Sequence, residues 1–292
     1  MTTATVTRDR KSRIGASDAA AILGISPYAS PYDVWAVKTG RAEEFSGNDT
    51  TRAGNRLESM LLDDAEKELG DLDRDVFIPA LGGLPIGATL DAQVISTGEV
   101  VEAKTSGMTG GPIVGNWGEP GTDQIPDHYL VQVQLQMWVA RAERAHVFAY
   151  LGNVVPKRFA VEYDHALAMA IAQQLSDWWT RHVIADVPPD ATGVSMETIK
   201  RFRRTAEKSI ELAGDEADQA ELLCRKIEEL KASAKAAKDE LEAAEKALLV
   251  MLGDAEEAVL PSGSRVTYFQ TTRKGYTVKE SSYRTLRIKE KK

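Results

Sequence analysis

A single cysteine, Cys224, in 292 residues excludes two kinds of architecture at once. No internal disulfide can form, and no cysteine cluster can hold zinc or an iron–sulfur centre, which fits a reducing compartment. The four histidines, His128, His146, His165 and His182, lack the mutual spacing of metal ligands, so oxygen is left as the donor for any metal. Long apolar runs are missing too. No stretch approaches the roughly twenty apolar residues of a membrane span, and the polar start Met1 to Arg13 lacks the hydrophobic segment of a signal peptide. The expectation is a cytoplasmic protein with no membrane partner. Gly110-Gly111 is not followed by the Lys-Ser/Thr of a phosphate loop, which removes the case for a nucleotide triphosphatase.

Positive charge is in deficit: 36 Lys and Arg against 44 Asp and Glu give a net charge of −8. That total argues against a nucleic-acid partner, whose affinity comes from cations displacing counterions on phosphates. The distribution reverses the argument in places. Pro261 to Lys292 holds nine Lys/Arg and two Glu, about +7, which leaves about −15 for the rest. Arg8, Arg10, Lys11 and Arg13 form a second basic cluster. Such clusters can track phosphates while carboxylates gathered at a metal site keep the total negative; solvated termini would look the same.

What is present reads as an α/β domain with an appendage, at 43% apolar and 27% charged residues. Ser17 precedes an apolar stretch to Leu23, and Ser30-Pro31-Tyr32-Asp33 supplies an N-cap, a proline at N1 and an acidic N3 for a helix ended by Gly40. Leu57, Leu61, Leu62, Ala65 and Leu69 recur at helical spacing before Gly70. Short strand-like runs follow at Val76–Ile78, Ile86–Leu90, Gln93–Ile95 and Val100–Lys104, suggesting a small meander. A Gly/Pro-rich loop spans Gly107–Asp123. A helix at Tyr129–Arg141, strands at His146–Leu151 and Arg158–Tyr163, and a long helix at Asp164–Ile184 complete the domain, residues 1–190. Trp35, Trp138, Trp178 and Trp179 fall at apolar helix positions and read as core, Trp117 as more open.

Residues 191–255 carry a different pattern. Leu223, Ile227, Leu230, Ala234, Ala237, Leu241, Ala244, Leu248 and Met251 alternate spacings of four and three, the seam of a coiled coil or long paired helix. Residues 256–292 form the basic tail, with a hairpin around Pro261-Ser-Gly263.

The chemistry concentrates at Asp91 and at Glu102-Ala103-Lys104. Residues two apart on a strand share a face, so Glu102 and Lys104 project together, and a hairpin through Thr97-Gly98 brings Asp91 beside them. Phosphodiester hydrolysis needs a neutralised phosphate and an activated water; Mg²⁺ held by Asp and Glu oxygens supplies both, and a lysine positions the water or offsets developing charge. The same acid-x-Lys spacing at Asp9/Lys11, Glu229/Lys231 and Glu290/Lys292 lacks the preceding strand ending in Asp. The plain alternative is an exposed salt bridge of small energy.

Arg13-Ile-Gly-Ala-Ser17-Asp18, Ser26-Pro-Tyr28…Ser30-Pro-Tyr32, Gly54-Asn-Arg-Leu-Glu58, Ala88-Thr-Leu-Asp91, Val101-Glu-Ala-Lys104 and Tyr129-Leu-Val-Gln132-Val-Gln134-Leu-Gln-Met137-Trp138 occur in that order. Together they resemble the YqaJ-like phage recombinases, relatives of the lambda-type exonuclease in the restriction-endonuclease-like superfamily, over Arg10 to Ile184. Tyr283 to Lys289 resembles, more loosely, a basic extension in that family. The resemblance implies a restriction-endonuclease-like core with a central mixed sheet flanked by helices, followed by the long helix and small β-hairpin. It implies metal ligands at Asp91, Glu102 and the Ala103 carbonyl, a catalytic Lys104, a helical Glu58, and a glutamine at either Gln132 or Gln134. A 5′-phosphate pocket falls to Arg10 or Arg13 with Ser17 and Thr89. Leu90 and Ala92 stand where the family often has Pro and Gly. The implied activity is a Mg²⁺-dependent (Mn²⁺ as substitute) 5′→3′ exonuclease on double-stranded DNA ends, in phage recombination inside a bacterial host cell. Implied partners are a RecT/Red-beta-type single-strand annealing protein and further copies of the chain, in a ring such as a trimer. An endonuclease on the same fold, or a non-catalytic module holding DNA ends or a partner, are the competing readings.

Overall fold

The computed structural model describes residues 10–79, 84–108, 110–194, 196–201 and 209–268. The end of the basic tail, with Tyr283 to Lys289, and Arg8 lie outside the described residues. The chain divides after Arg204 into two compact units.

The first unit is built on a six-stranded mixed sheet. Its strands are β1 (Ile14–Gly15), β2 (Leu72–Pro79), β3 (Ile86–Val94), β4 (Val100–Ser106), β5 (Arg144–Leu151) and β6 (Pro156–Glu162), in the order β1-β3-β4-β5-β6 with β2 paired to the other side of β3. The helices are α1 (Ala19–Ile22), α2 (Pro31–Lys38), α3 (Asp49–Leu69), α4 (Asp127–Ala140), α5 (His165–Trp178) and α6 (Met196–Arg201). The anticipated meander β2-β3-β4 is antiparallel, but β1 and β5 add parallel neighbours on Ile86–Gly87 and along β4. The β4–α4–β5 crossover makes that parallel pair possible, since parallel strands need a long connection.

Alternation along the strands sends side chains to two cores. On β5, Ala145, Val147 and Ala149 join a large cluster with α4, α5 and α1, while Phe148 and Tyr150 join a smaller one with Leu61, Leu62 and Ala65 of α3. Helix starts follow local chemistry. Ser30 accepts from the Asp33 N–H and Asp33 Oδ2 accepts from the Ser30 N–H, a reciprocal cap ahead of Pro31. Asn48 caps α3 through the Thr51 N–H.

Some boundaries differ from the sequence reading. Ile86–Leu90 and Gln93–Ile95 are one strand, β3. The turn at Ala16–Asp18 is 3-10, because Asp18 turns its carboxylate back to the Gly15 N–H and to Lys38. The helix anticipated to run from Asp164 to Ile184 stops being α-helical at Trp178 and widens into a π-helical turn, Trp179–Ile184. The wider turn buries both Trp178 and Trp179, and the His182 carbonyl accepts from Trp35 Nε1 at 2.9 Å. Trp35 is core as anticipated, Trp138 packs half-buried at the edge of the core, and Trp117 lies between Tyr129 and Phe159.

The second unit holds α7 (Asp215–Leu252) and a hairpin of β7 (Glu257–Val259) with β8 (Arg265–Thr267). Leu252 is the buried residue of α7; Leu223, Leu230, Leu241 and Leu248 of the anticipated seam are exposed. Among the described residues no helix is long and apolar enough to cross a membrane.

On the first unit's sheet, fully buried His146 contacts Glu99 through Nε2 at 3.1 Å, and Arg158 through Nδ1 at 3.3 Å. Burial, reinforced by the Arg158 and Arg144 charges, holds the imidazole below its ordinary pKa despite Glu99. Burial works to raise the Glu99 carboxyl, and the hydrogen bonds from His146 and Thr97 overcome it, so its pKa is lowered. The signs agree. Below about 6.5 the unfolded chain binds a proton that folded His146 resists, and the Glu99 contribution, present above about 4.5, is lost as pH falls through its folded pKa. The His146 contribution is isolated by comparing the wild-type chain with His146→Gln: the stability of the wild type relative to the variant is expected to fall between pH 7 and 5. A difference in melting temperature between the two that stays constant over this range would refute the assignment.

Candidate functional site

The sheet has a gap. One side of β3 is paired to β2 from Leu72↔Val94 to Pro79↔Gly87. Its other side pairs with β1 at Ile86–Gly87 and with β4 at Ala92↔Val101 and Gln93↔Val100. Between these, residues 88–91 meet no strand on that side among the described residues. Buried backbone groups still require partners, and side chains supply them here. The Ala103 N–H donates to Asp91 Oδ2 at 2.8 Å, and Gln136 Nε2 lies 3.4 Å from the Thr89 carbonyl. Asp91 therefore sits within β3, not at its end, at the point where β3 and β4 part. The alternation of β3 also slips there: Leu90 packs in the larger core and Ala92 in the smaller. Opposite, the Asp75/Asp91 pair drops out of the β2 register and Asp75 takes φ 57°.

Glu102 and Lys104 share a face of β4, as the two-residue period requires, and form an ion pair. Glu102 is almost fully buried and receives two further donors from α4: Gln132 Nε2 at 2.5 Å and Gln136 Nε2 at 2.6 Å. These residues are four apart, one turn of the same helical face. Gln134 faces elsewhere, donating to the Glu162 carbonyl and accepting from the Asp164 N–H. Of the two glutamines left open by the sequence, the structure brings Gln132 to the site. Gln136 was missed, and its signal was the i, i+4 relation to Gln132.

The electrostatics are those of crowded carboxylates. Burial first, then Glu102, raises the Asp91 carboxyl to about 8. Burial and Glu102 also raise Glu58, which α3 brings to a cavity lined by Ala103 and Lys104. Gly54 lets α3 approach β4 closely, since a Cβ there would meet Thr105 Oγ1 at 3.3 Å. Burial would lower the Lys104 ammonium, but Glu102 and Asp91 outweigh it and keep it cationic. Lys104 Nζ lies 5.0 Å from the centre of the Tyr129 ring. The Tyr129 hydroxyl, 3.5 Å from that of Tyr28, is pushed up by burial and stays protonated.

Among the described residues no three His, Cys, Asp or Glu side chains are placed to hold a metal ion by themselves. The donor set nevertheless fits a hard divalent cation: two carboxylates converge on the gap, and Gln136 Oε1 is buried without a hydrogen-bond partner. Asp91 and Glu102 are the side chains that would hold it, completed by backbone oxygen and water.

The anticipated phosphate-binding residues divide. Arg10 lines a cavity of about 470 Å³ with Asp18 and Lys38. Lys38 Nζ donates to the Arg10 carbonyl at 2.7 Å and pairs with Asp18 Oδ2 at 2.6 Å, tying Arg10 to the turn that exposes Ser17. Arg13 instead lies over the Phe77 ring, 4.1 Å from its centre, and Phe77 is the register partner of Thr89.

Residues 7–143 match the model of the YqaJ-like viral recombinase domain. The match takes in Asp91, Glu102, Lys104, Glu58 and all of α4. The curated protein YqaJ of Bacillus subtilis (strain 168), itself uncharacterized, is 28% identical over 242 residues, covering 78% of this chain and 73% of its own. Among solved structures, LHK-Exo, an alkaline exonuclease from Laribacter hongkongensis in complex with dAMP, is similar at TM-score 0.47 and 19% identity, over 60% of this chain and 90% of that one. A phage-related exonuclease from Haemophilus somnus 129PT is similar at TM-score 0.44 and 14% identity, over 60% of this chain and 96% of its own. Likeness at this level says nothing of what this chain does.

Gln136→Leu removes a donor from a buried charge and is expected to lower unfolding stability by about 1.5–3 kcal/mol, the range for hydrogen bonds to charged groups. Denaturant titration measures it; a loss under about 0.5 kcal/mol would mean that Glu102 is satisfied without α4.

Proposed function

We propose that this chain is a metal-dependent deoxyribonuclease that digests linear double-stranded DNA from its ends. The observation that carries the reading is the convergence of Asp91, Glu102 and Lys104 at the gap between β3 and β4, inside the recombinase-domain match. Within it, Asp91 and Glu102, with the Ala103 carbonyl, would hold Mg²⁺ or Mn²⁺. That ion supplies charge neutralisation at the scissile phosphate and a more acidic water.

The protein's own groups have separable tasks. Gln132 and Gln136 fix the Glu102 carboxylate in one orientation. Lys104, kept cationic by its carboxylate neighbours, positions the attacking water and offsets charge on the phosphate. Glu58, its pKa raised by burial and by the Glu102 charge, is the carboxylate suited to take the water's proton. Arg10, beside the Ser17 turn, would hold a terminal 5′-phosphate, and this would set a 5′→3′ direction. The single strand left behind would serve an annealing protein in phage-type recombination, with the protein working in a bacterial cytoplasm. Assembly of several copies around the duplex would let an acidic chain retain its substrate by topology.

The test offers closed circular plasmid and linear duplex, with and without 5′-phosphate, in Mg²⁺. Linear 5′-phosphorylated DNA is expected to be digested, circles spared, and chelation to stop the reaction until Mg²⁺ is restored. Lys104→Ala is expected to lose on the order of 10²-fold or more in rate while duplex binding changes little. Digestion of circles would make the enzyme an endonuclease; undiminished digestion by Lys104→Ala would remove this mechanism.

A further inference from the structure

The cavity that holds Arg10 and the cavity of about 640 Å³ that opens on Glu58 and Lys104 are neighbours with a common wall: Ala29, Phe45, Thr51, Asn55 and Arg201 line both. On the proposed reading, a nucleotide with its 5′-phosphate at Arg10 and its 3′-phosphate at Lys104 would lie along that wall. Two of its members have the chemistry to grip a nucleoside. Phe45 is 44% exposed and lines both cavities, so its ring is open to whatever enters them. The Arg201 guanidinium lies over the same ring, 5.7 Å from its centre.

The pair is built, not incidental. Glu43 N–H donates to the Arg201 carbonyl at 3.3 Å, and Arg201 Nη1 donates back to the Glu43 carbonyl at 3.0 Å, so α6 and the segment leading to Phe45 are joined at two points. Arg201 Nη2 also donates to Thr198 Oγ1 at 2.8 Å, and Thr198 is 1% exposed, anchoring α6. Arg201 lies well beyond residues 7–143, so this wall is completed by a segment outside the recombinase-domain match.

We infer that Phe45 and Arg201 form a subsite for the 5′-terminal nucleotide, the base stacking on the Phe45 ring and the guanidinium plane whatever its identity. Every base presents a π-face, so such a subsite holds the end without reading sequence. It rests on the proposed nuclease reading for its orientation, with a 5′-phosphate on one side and the cleaved linkage on the other.

The probe is a linear duplex with 2-aminopurine as its 5′-terminal base, whose fluorescence is quenched by stacking. Bound to the uncleaving Lys104→Ala chain, it is expected to be quenched, and adding Phe45→Ser is expected to abolish the quench while Phe45→Tyr retains it. In the otherwise wild-type chain, Phe45→Ser is expected to raise KM about tenfold with kcat within about twofold and an unchanged melting temperature. Retained quench and unchanged KM in Phe45→Ser would overturn the subsite. Failure of the wild-type chain to digest any DNA would instead overturn the nuclease reading, and the quench would still report whether Phe45 holds a DNA end.

Discussion

The structure depends on a break in backbone pairing. A sheet is stable because its N–H and C=O groups find one another, and where β3 and β4 separate they do not. The groups left over are met by Asp91 and Gln136, side chains that also form the candidate site. Fold and site therefore share atoms. Replacing Asp91 removes a carboxylate from the candidate site and the acceptor of the Ala103 N–H. The cost of burying two carboxylates close together appears in the raised Asp91 pKa and is offset in part by Lys104 and by the α4 amides.

Much of this was legible in the sequence where a signal is local. The period of two predicts that Glu102 and Lys104 share a face, and the Ser30–Asp33 cap and the Gly70 terminator follow from propensities that act within one turn. What escaped depends on distant segments. Nothing near Asp91 says that β3 continues to Val94, because its continuation is set by pairing with β2. Gln132 and Gln134 could not be separated without knowing which face of α4 meets β4; Gln136, one turn beyond Gln132, was overlooked for the same reason. The π-helical turn after Trp178 follows from burying two adjacent tryptophans, a tertiary demand. The Phe45–Arg201 contact joins segments 156 residues apart and has no sequence signature.

The long helix of the second unit shows the opposite balance. Its spacing of four and three was evident, yet within the described residues the seam leucines Leu223, Leu230, Leu241 and Leu248 face solvent. Its helicity is favoured by Ala, Glu, Lys and Leu, strong helix formers, and by pairs such as Glu242–Lys246, not by a packed face.

The break in pairing also makes the sheet mechanically two leaves. β4 is laced to β5 along its whole length, from Val100↔Ala145 to Ser106↔Leu151, while β3 is laced to β2. Among the described residues the strand pairing that joins one leaf to the other is the short Ala92–Gln93 ladder, with the Ala103–Asp91 hydrogen bond beside it. Asp91 rides on one and Glu102 with Lys104 on the other, so the distance between the two acids is set by a seam and not by a continuous ladder. Whatever binds both carboxylates acts as a clasp across that seam and stiffens the whole sheet.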